Sequence, residues 1–285
     1  MLISEVFGYG VEDQSEAAWN SRNAKLCPFR SSPCTKSRKT DPIGICSLSD
    51  GVEAASLCPV RFLENNKCFH DAASLAFGDG VSFGIFPEIR ILKIESGEDG
   101  QRERKIGKVD YLLGKIEAGK ITDFAAVEVQ AVYFSGVEIR TPMYHYLEHR
   151  QLDLANSERR PDFRSSAQKR LVPQLQLKVP VFRRWGKKFF VVVDTQFFRA
   201  IPDFKTTTQS NSELTWLCYP FAKDGDGYAM KEPNIVFSEW DEIQNSLREG
   251  SPPEPSEIVE ELQLKLDGPA NKRPRILEKN AGTGS

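Results

Sequence analysis

No stretch of the chain approaches the roughly 20 consecutive apolar residues that a membrane-spanning helix needs, so no membrane partner is expected. The opening residues, Met1-Leu-Ile-Ser-Glu5-Val-Phe-Gly8, have no basic n-region and meet an acid at Glu5. A secretory signal is therefore not expected, and the expected location is cytoplasmic. No internal repeat is present, which argues against a solenoid or propeller. Net charge is small as well, −2 over 285 residues, and by itself suggests no nucleic-acid partner.

Hydrophobic residues make up 40% and charged residues 27%, an ordinary balance that excludes wholesale disorder or a collagen-like design. The length allows one substantial core with a small satellite. The small net charge hides an uneven distribution. Asn20 to Thr40 contains Arg22, Lys25, Arg30, Lys36, Arg38 and Lys39 with no acid. Arg150 to Lys188 carries eleven Lys or Arg against Asp153, Glu158 and Asp162. Positive charge gathered on a balanced chain is the footprint expected where phosphates dock, although a solvated surface has the same composition.

Cysteine is almost confined to the first quarter. Cys27, Cys34, Cys46, Cys58 and Cys68 lie there, and Cys218 alone lies beyond and reads as core. The same stretch holds Pro28, Pro33, Pro42 and Pro59 with little apolar periodicity, so it needs a staple. The spacing Cys-x6-Cys-x11-Cys-x11-Cys from Cys27 to Cys58 offers four thiolates to one tetrahedral soft metal. There is no Cys-x2-Cys pair, disulfides and free buried thiols remain alternatives, and geometry does not separate zinc from iron. Cys68 is a reserve ligand.

Residues 1–68 thus form a cysteine-rich metal-binding module, 69–248 a main domain and 249–285 a flexible tail. Within the main domain Phe69 to Phe77 reads as a helix, followed by strands at Glu88 to Ile94, Lys108 to Leu113 and Asp123 to Tyr133. A helix from Pro161 to Pro173 and a strand at Phe189 to Asp194, apolar enough to be buried on both faces, come next. A short tail helix at Ile258 to Leu266 and a basic run, Lys272-Arg-Pro-Arg275, complete the pattern. The fold class is α/β.

Ala126-Val-Glu-Val-Gln-Ala131 carries the chemistry. Alternate strand residues share a face, so Glu128 and Gln130 point together while Val127, Val129 and Ala131 point away. Asp110, between Val109 and Tyr111 in the preceding strand, converges with Glu128 if the strands pair. One or two carboxylates plus substrate phosphate suffice for Mg²⁺, which neutralises phosphate charge and generates hydroxide near neutral pH. Glu88, at the start of the first strand, is a further candidate ligand. His70 beside Asp71 reads as structural. In the predicted helix, Arg164, Ser165, Gln168, Lys169 and Arg170 are placed to meet DNA phosphates near the helix N-terminus.

Asp110, Glu128-x-Gln130 and the order helix, three strands, helix, strand resemble the PD-(D/E)xK nuclease superfamily. More narrowly, Phe124-Ala-Ala-Val-Glu-Val-Gln-Ala-Val-Tyr-Phe-Ser-Gly136, joined to the cysteines and Cys58-Pro-Val-Arg-Phe62, is similar to the NotI family of type II restriction endonucleases, over roughly residues 1 to 200. The resemblance implies a nuclease core with a mixed central sheet flanked by helices and an N-terminal module holding iron. It also implies Mg²⁺-dependent, site-specific double-strand cleavage of DNA with 5′-phosphate ends, by a homodimer. Gln130 stands where the superfamily usually has lysine, as in the NotI-type variant. A glutamine supplies no positive charge, so its expected role is orientation by hydrogen bonds. The rival expectations are a metal-stabilised DNA-binding regulator with a degenerate nuclease core and a cysteine-cluster exonuclease of DNA repair.

Overall fold

Two six-stranded sheets dominate the described residues of 2–247, and four of the six strands of the second lie within Leu2–Ser56. The computed structural model describes residues 2–36, 40–96, 102–135, 139–152, 160–248, 253–269 and 273–275. They divide into two units, residues 1–247 and 248–285.

Strand β1 (Leu2–Val6) turns back into β2 (Tyr9–Gly10) through Phe7 and Gly8, both at positive φ. A Cβ on Gly8 would lie 2.1 Å from the ring of Pro28, so only glycine fits this approach. Helix α1 (Glu16–Asn23) starts at Ser15, whose hydroxyl accepts the N–H of Ala18 at 3.2 Å. The small hairpin β3 (Leu26–Cys27) and β4 (Ser32–Pro33) precedes β5 (Ile45–Ser49) and β6 (Glu53–Ser56). A 3₁₀ segment, Pro59–Asn66, then leads into α2 (Lys67–Phe77).

The meander β7 (Phe83–Ser96), β8 (Arg102–Glu117) and β9 (Lys120–Val129) follows. Its first two strands are longer than their periodicity predicts. Glu88 and Gly107 adopt φ values of +59° and +64° inside β7 and β8, and such kinks break the alternation that a pattern reading relies on. The third strand stops at Val129, short of the predicted Tyr133. Beyond it the N–H of Val132 bonds the carbonyl of Ser56 at 2.8 Å, drawing the chain off the sheet toward β6.

Next come β10 (Tyr133–Ser135), α3 (Arg140–His149), β11 (Arg160–Asp162) and the short α4 (Phe163–Ser166). A π-helical turn, Ala167–Leu171, runs directly into α5 (Val172–Trp185). Pro173 therefore does not end this helix, as the sequence reading has it. The wide turn bonds the N–H of Val172 to Ala167, and Pro173 sits in the first turn of α5, where a missing N–H costs little. Strand β12 (Phe189–Asp194) is buried throughout, as its apolar run predicts. The unit closes with α6 (Thr195–Arg199), β13 (Leu214–Tyr219), β14 (Phe221–Asp224), β15 (Gly227–Met230), β16 (Asn234–Ser238) and α7 (Trp240–Arg248).

The main sheet has the order β16-β13-β12-β9-β8-β7, mixed parallel and antiparallel, with β9, β12 and β13 parallel to one another. On one face Val127 and Val129 pack with Phe69 and Ala72 of α2. On the other, Ala126 packs with Leu175, Val179 and Phe182 of α5. This is a mixed α/β architecture with its sheet flanked by helices.

The second sheet, β15-β14-β6-β5-β1-β2, is completed by residues far along the chain. At the junction a Cβ on Gly10 would stand 1.6 Å from the carbonyl oxygen of Asp226. The N-terminal stretch consequently has the core that its local pattern does not announce, with Val6, Phe7, Ile45 and Leu48 buried. In the other unit, α8 (Pro255–Asp267) spans and exceeds the predicted tail helix and leaves its residues exposed. Of the basic run, Lys272 lies outside the described residues. No helix among the described residues is long and apolar enough to cross a membrane.

Candidate active site

Asp110 on β8 and Glu128 on β9 are brought together by strand register. Tyr111 pairs with Val127, which sets Asp110 level with Glu128. Asp110 makes no ladder pair there; its Oδ2 accepts the N–H of Val129 at 3.0 Å. Glu128 lies beside Val191 of the parallel strand β12 and is 1% exposed, so this carboxylate has almost no access to bulk water.

Two side chains of α5 that the sequence reading missed extend the site, Lys178 by contact with Glu128 and Gln174 by contact with Lys178. Lys178 donates to Glu128 Oε1 at 2.6 Å and to Gln174 Oε1 at 2.9 Å, and Lys178 is only 3% exposed. Glu128 Oε2 is buried and has no hydrogen-bond partner among the described residues. A signal for Lys178 was present. Leu171, Leu175 and Phe182 form the buried stripe of the helical run, and Lys178 falls on it at spacings of three and four. A lysine placed there requires an internal partner.

Burial first, and then the Asp110 charge, raise the Glu128 carboxyl to about 7 against the pull of Lys178. Burial also raises Asp110, opposed by the Val129 N–H and by Lys178 and Lys108. Two mutually repelling carboxyls in a low-dielectric pocket favour a bound cation, which would restore both to the ionised form. The donor set, two carboxylates with one buried oxygen unsatisfied, fits Mg²⁺, which retains water and takes substrate phosphate for its remaining positions.

Gln130 lies one residue beyond β9. Its backbone N–H donates to Val192 at 2.9 Å, and its side-chain amide donates to the carbonyl of Ala131. Glu88 sits opposite Asp110 between the pairs Pro87/Tyr111 and Ile89/Val109, at positive φ and with its carboxylate 2.7 Å from Lys108. Its charge adds to the upward pressure on Asp110. A non-glycine residue strained beside such a pair is the kind of local cost that persists at functional sites.

The cysteine set lies elsewhere in the same unit. Cys27, Cys34 and Cys46 are buried, Cys58 is half-buried, and none is in a disulfide. Cys58 presses upward on the thiols of Cys27, Cys34 and Cys46, so the four share a neighbourhood, although burial is the larger cause at each. Backbone N–H groups of Phe29 and Arg30 face the Cys27 sulfur, that of Gly8 faces Cys46, and that of Lys36 donates to Cys34 at 3.4 Å. Among the described residues no three His, Cys, Asp or Glu side chains enclose a metal position as placed. Cys68 is buried in α2, where burial pushes its thiol up to about 12, and Cys218 is buried in β13. The Asp71 carboxylate accepts the hydroxyl of Tyr219 at 2.6 Å, while His70 packs on the edge of Phe83.

The predicted DNA-facing segment is tied to the strand that leaves the site. Ser166 Oγ accepts the N–H of Tyr133 at 2.8 Å and donates to the carbonyl of Asp162 at 2.6 Å. Gln168, Lys169 and Arg170 are exposed on the π-helical turn, and the Arg170 guanidinium lies 3.9 Å from the ring centroid of Tyr133. The side chains of Arg164 and Ser165 lie outside those described.

Two comparisons bear on this arrangement. The family model described as Restriction endonuclease NotI matches residues 5–231, which include the six cysteines, the carboxylate pair and every strand of the main sheet but β16. No curated protein matches the chain.

Proposed function

The chain belongs to the NotI restriction endonuclease family, a type II site-specific deoxyribonuclease family, and from that premise we propose that Asp110 and Glu128 hold the Mg²⁺ of a PD-(D/E)xK-type active site. The observation that carries this reading is Glu128 Oε2, a buried carboxylate oxygen without a hydrogen-bond partner among the described residues, beside the half-buried carboxylate of Asp110. Mg²⁺, when bound, neutralises phosphate charge and lowers the pKa of its water. Gln130 turns its amide from Ala131 to orient the attacking water or the phosphate. Water adds to phosphorus, the bond to the 3′ oxygen breaks, and the products are a 5′-phosphate and a 3′-hydroxyl. Glu88 is within the electrostatic reach of Asp110 and serves as the reserve acid.

Digestion of a plasmid or phage genome with Mg²⁺ should give discrete bands whose sequenced ends share one recognition sequence and carry 5′-phosphates. Degradation from ends would indicate an exonuclease. A DNA shift without any cutting would indicate a binding protein with a degenerate core.

The Cys27, Cys34, Cys46 and Cys58 thiols are proposed to hold a structural metal, iron in line with the family resemblance or zinc. Three of the four sulfurs face backbone N–H groups, which partly offset the burial that raises these thiols, and a bound soft metal would hold them as thiolates. Elemental analysis of purified protein should find about one equivalent of iron or zinc, and chelation or a serine at any of the four should lower the melting temperature. Metal-free protein of unchanged stability would refute this assignment.

One such active site per chain against two strands favours a homodimer matched to a two-fold symmetric site. With Lys169 and Arg170 among the phosphate contacts, DNA affinity should fall by on the order of a thousandfold from 50 to 200 mM salt if about six phosphates are engaged per dimer. Light scattering of the DNA complex and a salt titration check both points. A monomer bound to a cut-competent duplex removes the dimer; salt-indifferent affinity removes the basic docking surface.

A further inference from the structure

We propose that Lys178, held by Gln174 on α5, is the positioning residue of the active site: by occupying Glu128 Oε1 it leaves Oε2 as the oxygen available to the cation. This rests on the reading of Asp110 and Glu128 given above. The geometry is specific. An ammonium with three N–H donors gives one to the buried Glu128 and one to the half-buried Gln174, and Gln174 and Lys178 are one helical turn apart. The strand contributes the carboxylate and the helix contributes the positive charge that Gln130 cannot supply.

A carboxylate in a shallow pocket can rotate about its last bond and present either oxygen. With Oε1 fixed by a charge-assisted hydrogen bond, Glu128 has one defined orientation before substrate arrives, and preorganised groups of this kind act without reorganisation during the reaction. A lysine whose task is to neutralise an inert buried acid would leave no oxygen of that acid unsatisfied, yet Oε2 is both buried and unpartnered among the described residues.

The test compares Lys178→Met, Lys178→Arg and Gln174→Leu in the full-length protein, on the duplex that the wild type cuts. Lys178→Met should lower kcat on the order of a hundredfold while KM and metal-free DNA affinity by gel shift stay within a few-fold. Lys178→Arg should recover much of the loss, and Gln174→Leu should lower kcat about tenfold by loosening the ammonium. If Lys178→Met fails to fold, Gln174→Leu and Lys178→Arg decide. Folded Lys178→Met or Gln174→Leu protein with wild-type kcat overturns the proposal, as does a loss of metal-free DNA affinity that parallels the loss of kcat. An Asp110→Asn control separates the two levels. If that variant is inactive while the α5 variants cut normally, the positioning role alone falls; if it also cuts normally, the active-site reading falls with it.

Discussion

Asp110→Asn or Glu128→Gln is expected to lower DNA cleavage by on the order of a thousandfold or more, with metal-free DNA binding retained. Charge stabilisation by a metal is worth several kcal/mol, and each ~1.4 kcal/mol is a factor of ten in rate. The amide replacements matter, because alanine would test two things at once. Glu128→Ala would strand the Lys178 ammonium at 3% exposure, and Asp110→Ala would leave the Val129 N–H without its acceptor. Removing one partner of a buried ion pair costs about 3–5 kcal/mol, so Glu128→Ala should also be visibly less stable, and the unsatisfied Val129 N–H should cost Asp110→Ala about 1–3 kcal/mol. Single-turnover cleavage and a gel shift in chelator, run on the same preparations, distinguish the effects. Wild-type turnover in either amide variant would sink the assignment of the carboxylate pair.

Arg61→Met is expected to cost about 3–5 kcal/mol of stability, enough to lower the melting temperature by roughly 10 °C in a unit of this size. Arg61 is 1% exposed, and its Nε donates to Glu5 Oε2 at 3.0 Å. It also bonds Glu64 and the carbonyl of Tyr228, with its guanidinium carbon 4.4 Å and 4.6 Å from the ring centroids of Phe29 and Phe221. One side chain thus joins β1, the 3₁₀ segment and the β14–β15 hairpin. The loss should come mainly from the stranded Glu5 charge, so Glu5→Gln together with Arg61→Met should recover part of it. Chemical denaturation of the single and double variants checks this. A loss under about 1 kcal/mol in Arg61→Met would mean that the buried cluster is incidental to the fold.

Much of the main sheet was legible because its signals are local. The unbroken apolar run Phe189–Asp194 is the strand buried on both faces, and Glu128 alternates with Val127 and Val129 as the period of two predicts, facing α5. Phe69–Phe77 falls inside α2. The pattern failed where the backbone departs from ideal geometry, at the positive-φ Glu88 and Gly107 that fragment the long hairpin. It failed again at Pro173, which a π-helical turn accommodates. That error hid Lys178, because a helix believed to end at Pro173 has no buried stripe for a lysine to fall on.

By itself, then, the sequence determined the α/β class, the strand alternation that places Glu128 on an inward face, the adjacency of Asp110 through a short antiparallel connection, and the crowding of cysteines in one stretch. Each depends on residues within about one element of one another, where periodicity and turn chemistry suffice. Tertiary structure decided what required distant elements to meet. Lys178 comes to Glu128 from 50 residues away. Phe221–Met230 supplies the strands that complete the N-terminal sheet, and Arg61 reaches Tyr228 across 167 positions. A buried charge chooses its partner from whatever packing brings within hydrogen-bond reach, and no local pattern of residues encodes that choice.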